Sequence, residues 1–209
     1  HLNRHIDYAQ LHTDPENQID PDQITHSLAT PLQPIISSDG ATMYVAAFGS
    51  GTVGVFPVSS IDDPEFETNF DPTAASARYI RTSGGPSGLV LDETNNRLYV
   101  LTRFDNSVQV IDPTTKATLA SHALHNPEPS SVVDGRPFLY DARITSGNGE
   151  ASCSSCHVFA DFDSLAWNLG DPDADVSTNP QPSATPFLEE LKATSFHPMK
   201  GPMTTQTMR

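Results

Sequence analysis

Thr42-Met43-Tyr44-Val45-Ala46-Ala47, the turn Gly49-Ser50-Gly51 and Thr52-Val53-Gly54-Val55-Phe56 read as two short strands and the turn between them. β-Branched and aromatic residues fill the runs, and glycine and serine interrupt them. Pro34-Ile35-Ile36-Ser37 and the turn Ser38-Asp39-Gly40 come just before. The same order recurs further on: Pro86-Ser87-Gly88-Leu89-Val90-Leu91, a turn at Thr94-Asn95-Asn96, Arg97-Leu98-Tyr99-Val100-Leu101, a turn at Asp105-Asn106, and Ser107-Val108-Gln109-Val110-Ile111. Tyr44-Val45 and Tyr99-Val100 lie 55 positions apart. A fourth strand is predicted after each copy, at Ala77-Arg78-Tyr79-Ile80-Arg81 and Ala117-Thr118-Leu119-Ala120-Ser121.

A repeat of three or four short strands with a turn between each is the signature of β-propeller blades. The alternative is two unrelated hairpin pairs in a small sandwich. Propellers close with about four to eight blades, and two cannot form a ring. The chain is therefore expected to be a segment of a longer polypeptide, or to complete itself with neighbouring subunits. Residues 1–31 show no sustained periodicity and read as an arm, and residues 32–125 hold the two blades. Asn126-Pro127-Glu128-Pro129 has linker composition and opens a second domain over 126–209. That domain is predicted to be mostly helix and loop, with a short amphipathic helix at Phe187-Leu188-Glu189-Glu190-Leu191-Lys192. The fold class predicted is thus mixed: all-β propeller blades followed by a mostly α-helical domain.

The 26 acidic residues outnumber the 11 Lys and Arg, for a net charge of −15. Such a surface repels phosphate backbones and anionic lipid, which argues against nucleic-acid and membrane-surface binding. No apolar run approaches the roughly 20 residues of a spanning helix, so no membrane span is predicted. His1 opens a polar segment where a secretory leader would be basic and then apolar, so a leader is expected to have been removed or to lie outside the sequence.

Both cysteines fall in Cys153-Ser154-Ser155-Cys156-His157. Two thiols at this spacing, followed by His, arise by chance in roughly four of ten thousand chains of this composition. On one turn of helix the two thiols each add to a vinyl group of a haem, and the adjacent imidazole is placed under the iron. Cys153 and Cys156 are therefore read as the thioether anchors of one covalent haem c per chain, and His157 as its proximal iron ligand. There are two alternatives. A redox disulfide needs a thioredoxin-like strand before the motif, whereas Ser146-Gly147-Asn148-Gly149-Glu150 is a flexible loop. A zinc site needs four ligands, the rest to come from distant His122, His125 or His197. With the haem motif placed, the second domain is predicted to be a c-type cytochrome domain.

The segment Gly135-Arg136-Pro137-Phe138-Leu139-Tyr140-Asp141-Ala142-Arg143-Ile144, followed by Ser146 to Ser152 and the haem motif, resembles the lead-in to the first haem of bacterial di-haem cytochrome c peroxidases and MauG-type proteins. That family reads Leu-Phe-x-Asp-x-Arg-Leu-Ser, a glycine-containing turn, then Ser-Cys-x-x-Cys-His. The stretch 197–209 is similar to the family's Lys-x-Pro-x-Leu-Arg-Asn segment, and the Tyr-Val strands resemble YVTN-type propeller repeats. The resemblance implies a propeller fused to a peroxidase-like module. Only one of the family's two haem motifs is present, and the chain ends before the segment that supplies a distal His, so a partial module is implied.

Met199 and Met203 are the preferred candidates for a sixth iron ligand, with Met208 and His197 behind them; the plainer role for these methionines is apolar packing. For Trp167, the only Trp, the resemblance implies a place near the haem on the route toward a second haem, against a plain core role. Peroxidase activity would need an open coordination position and a distal acid or base. Asp161, Asp163 and Asp171 follow the motif, but none is assigned that role. Asp171-Pro172-Asp173-Ala174-Asp175 is a weak Ca2+ candidate that lacks the Gly and closing Glu of an EF-hand loop, so a solvated loop is the simpler reading.

The leading function is an electron-transferring c-type haem protein of the di-haem peroxidase or MauG-like class. Covalent haem implies export, hence a periplasmic or extracellular location, and the acidic surface implies a basic redox protein or another haem domain as partner. The alternatives are a non-catalytic propeller that binds or scaffolds, and a single haem serving as one link of a multi-haem assembly.

Overall fold

Each Tyr-Val run forms the second strand of a four-stranded antiparallel meander. The computed structural model describes residues 23–61, 72–147, 149–167, 177–178, 195–196 and 203–208. Sheet 1 has the order β1 (Pro31–Ile36), β2 (Thr42–Ala47), β3 (Thr52–Pro57), β4 (Ile80–Arg81), and sheet 2 the order β5 (Pro86–Asp92), β6 (Arg97–Thr102), β7 (Ser107–Ile111), β8 (Thr118–Ala123). The registers of the two copies correspond. Tyr44 stands opposite Ile35 and Val55, as Tyr99 stands opposite Val90 and Val110. Gly51 and Asn106, 55 positions apart, both turn the chain in the left-handed region (φ 56° and 50°), which glycine and asparagine tolerate best.

The core lies between the sheets. Ala46, Val53 and Ile80 of sheet 1 pack against Leu89, Leu98, Val100 and Ile111 of sheet 2, with Ile35, Tyr44, Val55 and Leu91 around them. At the margin the Gln33 side chain acts as an extra strand rung: its Oε1 accepts from Leu89 N at 2.8 Å and its Nε2 donates to Leu89 O at 3.3 Å. Phe48, in the β2–β3 turn, stands edge-on to Phe104 of the β6–β7 turn at 5.3 Å and to Tyr140 at 5.5 Å between centroids. A Cβ at Gly85 would approach Phe104 to 2.7 Å, so glycine is required where that ring seats.

The predicted fold class is corrected here. The protein is mostly β-sheet, and among the described residues the two sheets form no closed propeller or barrel. Two sheets that meet through one face each leave their other faces open, and closure would take more of them. Nor, among the described residues, is there a large helical cytochrome domain. Five short helices are described: α1 (Gln23–His26), α2 (Val58–Ile61), α3 (Pro72–Ser76), α4 (Ser130–Tyr140) and α5 (Ala142–Thr145). None of the described helices is long and apolar enough to cross a membrane.

The chain divides into two units, 1–155 and 156–209. In the second, Phe159, Ala160 and Ser164 take positive φ (53°, 62° and 63°), which stops helix propagation just after the cysteine motif. Two-residue bridges are formed instead: β9 (Ala166–Trp167) with β12 (Met203–Thr204), and β10 (Ser177–Thr178) with β11 (Ser195–Phe196). The helix predicted at 187–192 lies outside the described residues.

Leu98→Ala, at a fully buried position, is expected to cost about 2–5 kcal/mol. Val90→Ala, on a side chain 64% exposed on the opposite face of the same sheet, is expected to cost about 0.5 kcal/mol or less. Urea unfolding midpoints distinguish the two, and equal costs would contradict the placement of the core.

Candidate functional site

In the first unit, the segment before the cysteines is held by a carboxylate and a guanidinium. α4 ends where Asp141 N donates to Pro137 O at 2.9 Å, and Asp141 then caps α5, accepting from Arg143 N at 3.0 Å. The same carboxylate accepts from Arg143 Nε at 2.9 Å and Nη2 at 2.5 Å. This forked bond raises the Arg143 pKa against the opposing effect of burial. The guanidinium lies over the β2–β3 turn, where a Cβ on Gly51 would meet Nη2 at 2.8 Å. Asp141 and Arg143 thereby tie the helix pair to sheet 1.

Cys153–Ser155 is a single 3-10 turn, closed by Ser155 N donating to Ser152 O at 3.0 Å, and it packs against α4. The buried Ser152 hydroxyl is 2.7 Å from that of Ser154. The Cys153 thiol is free and half-buried.

In the second unit, the Cys156 thiol is also free and half-buried, and His157 follows. His157 Nδ1 is 2.6 Å from the carbonyl oxygen of Gln206. A carbonyl only accepts, so Nδ1 carries the hydrogen and the Nε2 lone pair is left for another partner. The tail that supplies this carbonyl folds back along the motif segment: Met203 pairs with Trp167, Thr204 with Ala166, and Met208 N donates to Ala160 O at 3.0 Å. Trp167 Nε1 donates to Asp163 Oδ2 at 2.8 Å, and Leu165 N donates to Asp163 Oδ1 at 3.0 Å. Desolvation pushes the Asp163 carboxyl up, but the hydrogen bonds from Leu165 and Trp167 outweigh it and leave the pKa below the ordinary aspartate value. Val158, Phe159, Phe162 and Leu165 are exposed apolar side chains on this segment.

The structure thus brings His157, Trp167 and Met203 into one unit, on a segment and the tail folded along it. Met203 and Met208 are exposed, 43% and 55%. Met199, His197, Asp171 and the acidic run to Asp175 lie outside the described residues. Asp161 accepts from Phe162 N at 2.9 Å, within its own turn. His122 lies on β8 and His125 just beyond it. Among the described residues no three His, Cys, Asp or Glu side chains gather as a metal site.

Sequence reasoning assigned no role to Asp141, Arg143 or Gln206. Asp141 and Arg143 occupy the Asp and Arg positions of the quoted family-like segment, and that spacing was the available signal. Gln206 contributes a main-chain oxygen, which no residue type announces. A separate cleft of about 250 Å3, lined by Ser37, Asp39, Tyr44, Glu93 and Asn96 among others, sits at the turn end of the sheets. Its carboxylates are taken up locally: Asp39 accepts from the Ser37 hydroxyl and Ala41 N, and Glu93 from the Ser38 hydroxyl and N.

No protein-family model and no curated protein matches the sequence. Among solved structures, Kuenenia stuttgartiensis hydrazine synthase overlays on 47% of this chain and 24% of that chain, at 16% identity and a TM-score of 0.37. A likeness of that size decides neither fold nor activity. The resemblances to YVTN-type repeats and di-haem peroxidases therefore rest on sequence motifs alone.

Two measurements check the second unit. In the isolated chain, nitrogen-proton correlation spectra are expected to show His157 as the Nδ1–H tautomer; the Nε2–H tautomer would contradict the Gln206 contact. Trp167, the sole indole, reports on Asp163. A carboxylate with a lowered folded pKa contributes its stabilisation above its unfolded pKa and loses it as pH falls through the folded value. The Trp167 emission of the isolated chain is expected to shift with a midpoint below the ordinary aspartate pKa, and Asp163→Asn is expected to abolish that transition.

Proposed function

We propose that the chain is a c-type haem redox protein, with Cys153 and Cys156 as thioether anchors and His157 Nε2 as the proximal iron ligand. The observation that carries this is the His157 Nδ1–Gln206 carbonyl contact of 2.6 Å within a Cys-x-x-Cys-His sequence whose two thiols are free. A metal-bound histidine almost always donates its other N–H to a carbonyl, carboxylate or water, which fixes the tautomer and makes the ligating nitrogen more basic. The donor set, two thiols and one imidazole with Nε2 left over, fits a covalently attached haem. When bound, that group supplies a one-electron iron couple.

The residues of the chain then have separable tasks. Cys153 and Cys156 would hold the haem through thioethers, each thiol adding across one vinyl group with its sulfur on one carbon and its proton on the other, which would consume no oxidant. The Gln206 carbonyl orients the imidazole. Asp163 holds the Trp167 indole through its N–H, and the β9–β12 pairing sets Met203 opposite it; of the two preferred sixth-ligand candidates, Met199 and Met203, Met203 is the one within the described residues. Electron transfer of the di-haem peroxidase or MauG-like class is the finer reading, supported by the motif and the Asp141-x-Arg143 lead-in. Covalent haem favours an exported, periplasmic or extracellular setting. The net charge of −15 favours a basic redox partner through long-range attraction.

Expression with a haem-attachment system is expected to yield an intact mass raised by one haem and a c-type reduced pyridine haemochrome. Cys153→Ser and Cys156→Ser should each leave only one thioether, and the double variant should lose the adduct. A chain that carries no haem under these conditions would end this reading. Oxidation of a donor by peroxide would place it with the enzymes, while a six-coordinate spectrum indifferent to peroxide would place it with the carriers.

A further inference from the structure

The two sheets meet through unlike faces, and each keeps an unused copy of the face that the other uses. Sheet 1 presents Ile35, Tyr44, Ala46, Val53 and Val55 to sheet 2. Advanced by the repeat of 55, these positions become Val90, Tyr99, Leu101, Val108 and Val110. The pairs Val90–Tyr99, Tyr99–Val110 and Leu101–Val108 set all five on the face of sheet 2 turned away from sheet 1. Sheet 2 presents Leu89, Leu91, Leu98, Val100 and Ile111. Moved back by the repeat, these become Pro34, Ile36, Met43, Val45 and Phe56, paired as Pro34–Val45, Ile36–Met43 and Met43–Phe56 on the face of sheet 1 turned away from sheet 2.

Val90 is 64% exposed, Tyr99 37% and Ile36 57%, and their neighbours on these faces are half-buried for the most part. Near β3 the face of sheet 1 is already partly covered, because Leu28 reaches within 2.6 Å of where a Gly54 Cβ would stand and the buried Tyr79 stands edge-on to Phe56 at 5.7 Å between centroids. Among the described residues the β1–β2 portion remains open, with Ile36 57% exposed. An apolar sheet face without a partner marks a docking surface, and the contact inside this chain shows what fits it.

We propose that the protein associates head to tail with a second copy of itself, the Val90-Tyr99-Val110 face of one copy seating on the Ile36-Met43-Val45 face of the next. The contact follows the internal one by position: Val90, Tyr99 and Val110 stand where Ile35, Tyr44 and Val55 do, and Ile36, Met43 and Val45 where Leu91, Leu98 and Val100 do, over strands of corresponding register. Because the two surfaces differ, the interface is heterologous and leaves one free face at each end. At net −15 per chain the copies repel at long range, so added salt strengthens the association by screening.

Sedimentation velocity on the full chain, at rising concentration and in low and high salt, tests this. The wild type is expected to form dimers and longer species. Tyr99→Asp and Ile36→Asp, at exposed positions that fold tolerates, are each expected to be monomeric alone, and their mixture to give a 1:1 dimer through the one intact pair of faces. Circular dichroism confirms that each variant is folded, and Val90→Lys with Met43→Lys replaces any that is not. A wild type that stays monomeric overturns the proposal, as does a mixture of folded single variants that stays monomeric while the wild type associates.

Discussion

Everything described in the first unit depends on two sheets packing through unlike surfaces. The contact works because sheet 1 is shallow where sheet 2 is deep: Ala46 and Val53 face Leu89, Leu98 and Val100. Each buried Leu, Ile or Val contributes about 1.5–3 kcal/mol relative to exposure, so this seam is the main source of order in that unit. Polar groups at its margin are satisfied rather than excluded. Gln33 hydrogen-bonds both backbone groups of Leu89, on the edge strand β5, so these polar groups beside the core have partners.

From that seam the order passes toward the cysteine motif through particular contacts. Phe48 leaves the β2–β3 turn to meet Phe104 of sheet 2 and Tyr140 of α4, so one aromatic ring engages both sheets and the helix. One turn further on, Asp141 grips Arg143, and the guanidinium rests on the Gly51 backbone, which has no side chain to displace it. The turn carrying Cys153 then packs on α4. The second unit is built differently, from short bridges and main-chain hydrogen bonds. The geometry of His157 there depends on a carbonyl 49 residues away in sequence, and small elements of this kind open at lower free energy than a packed core.

The repeat was legible from residues alone because strand periodicity, turn glycines and asparagines, and the Tyr-Val spacing all agree, and local agreement of this kind is what a sequence records best. The cysteine motif was legible for a different reason: its chemistry requires residue types at fixed spacing within a few positions. What was misread is the fold class, propeller blades followed by a mostly helical domain. A blade-like pattern states how strands pair within a sheet and nothing about how many sheets surround an axis. The second domain was expected to be mostly helix and loop, and just after the motif Phe159 and Ala160 turn left-handed, a conformation that neither residue type signals.

By itself, then, the sequence determined the two repeated runs of short strands and turns, the acidic balance of charge and the pairing of two thiols with one histidine. All of these follow from interactions between residues near in the chain or from composition. Only the tertiary structure decided which face of each sheet is buried, that Asp141 and Arg143 lock onto Gly51, and that the tail aligns Met203 with Trp167 and lends Gln206 to His157. Those contacts join residues tens of positions apart, several through backbone atoms that every residue possesses, and their energies arise only once the chain has brought them together.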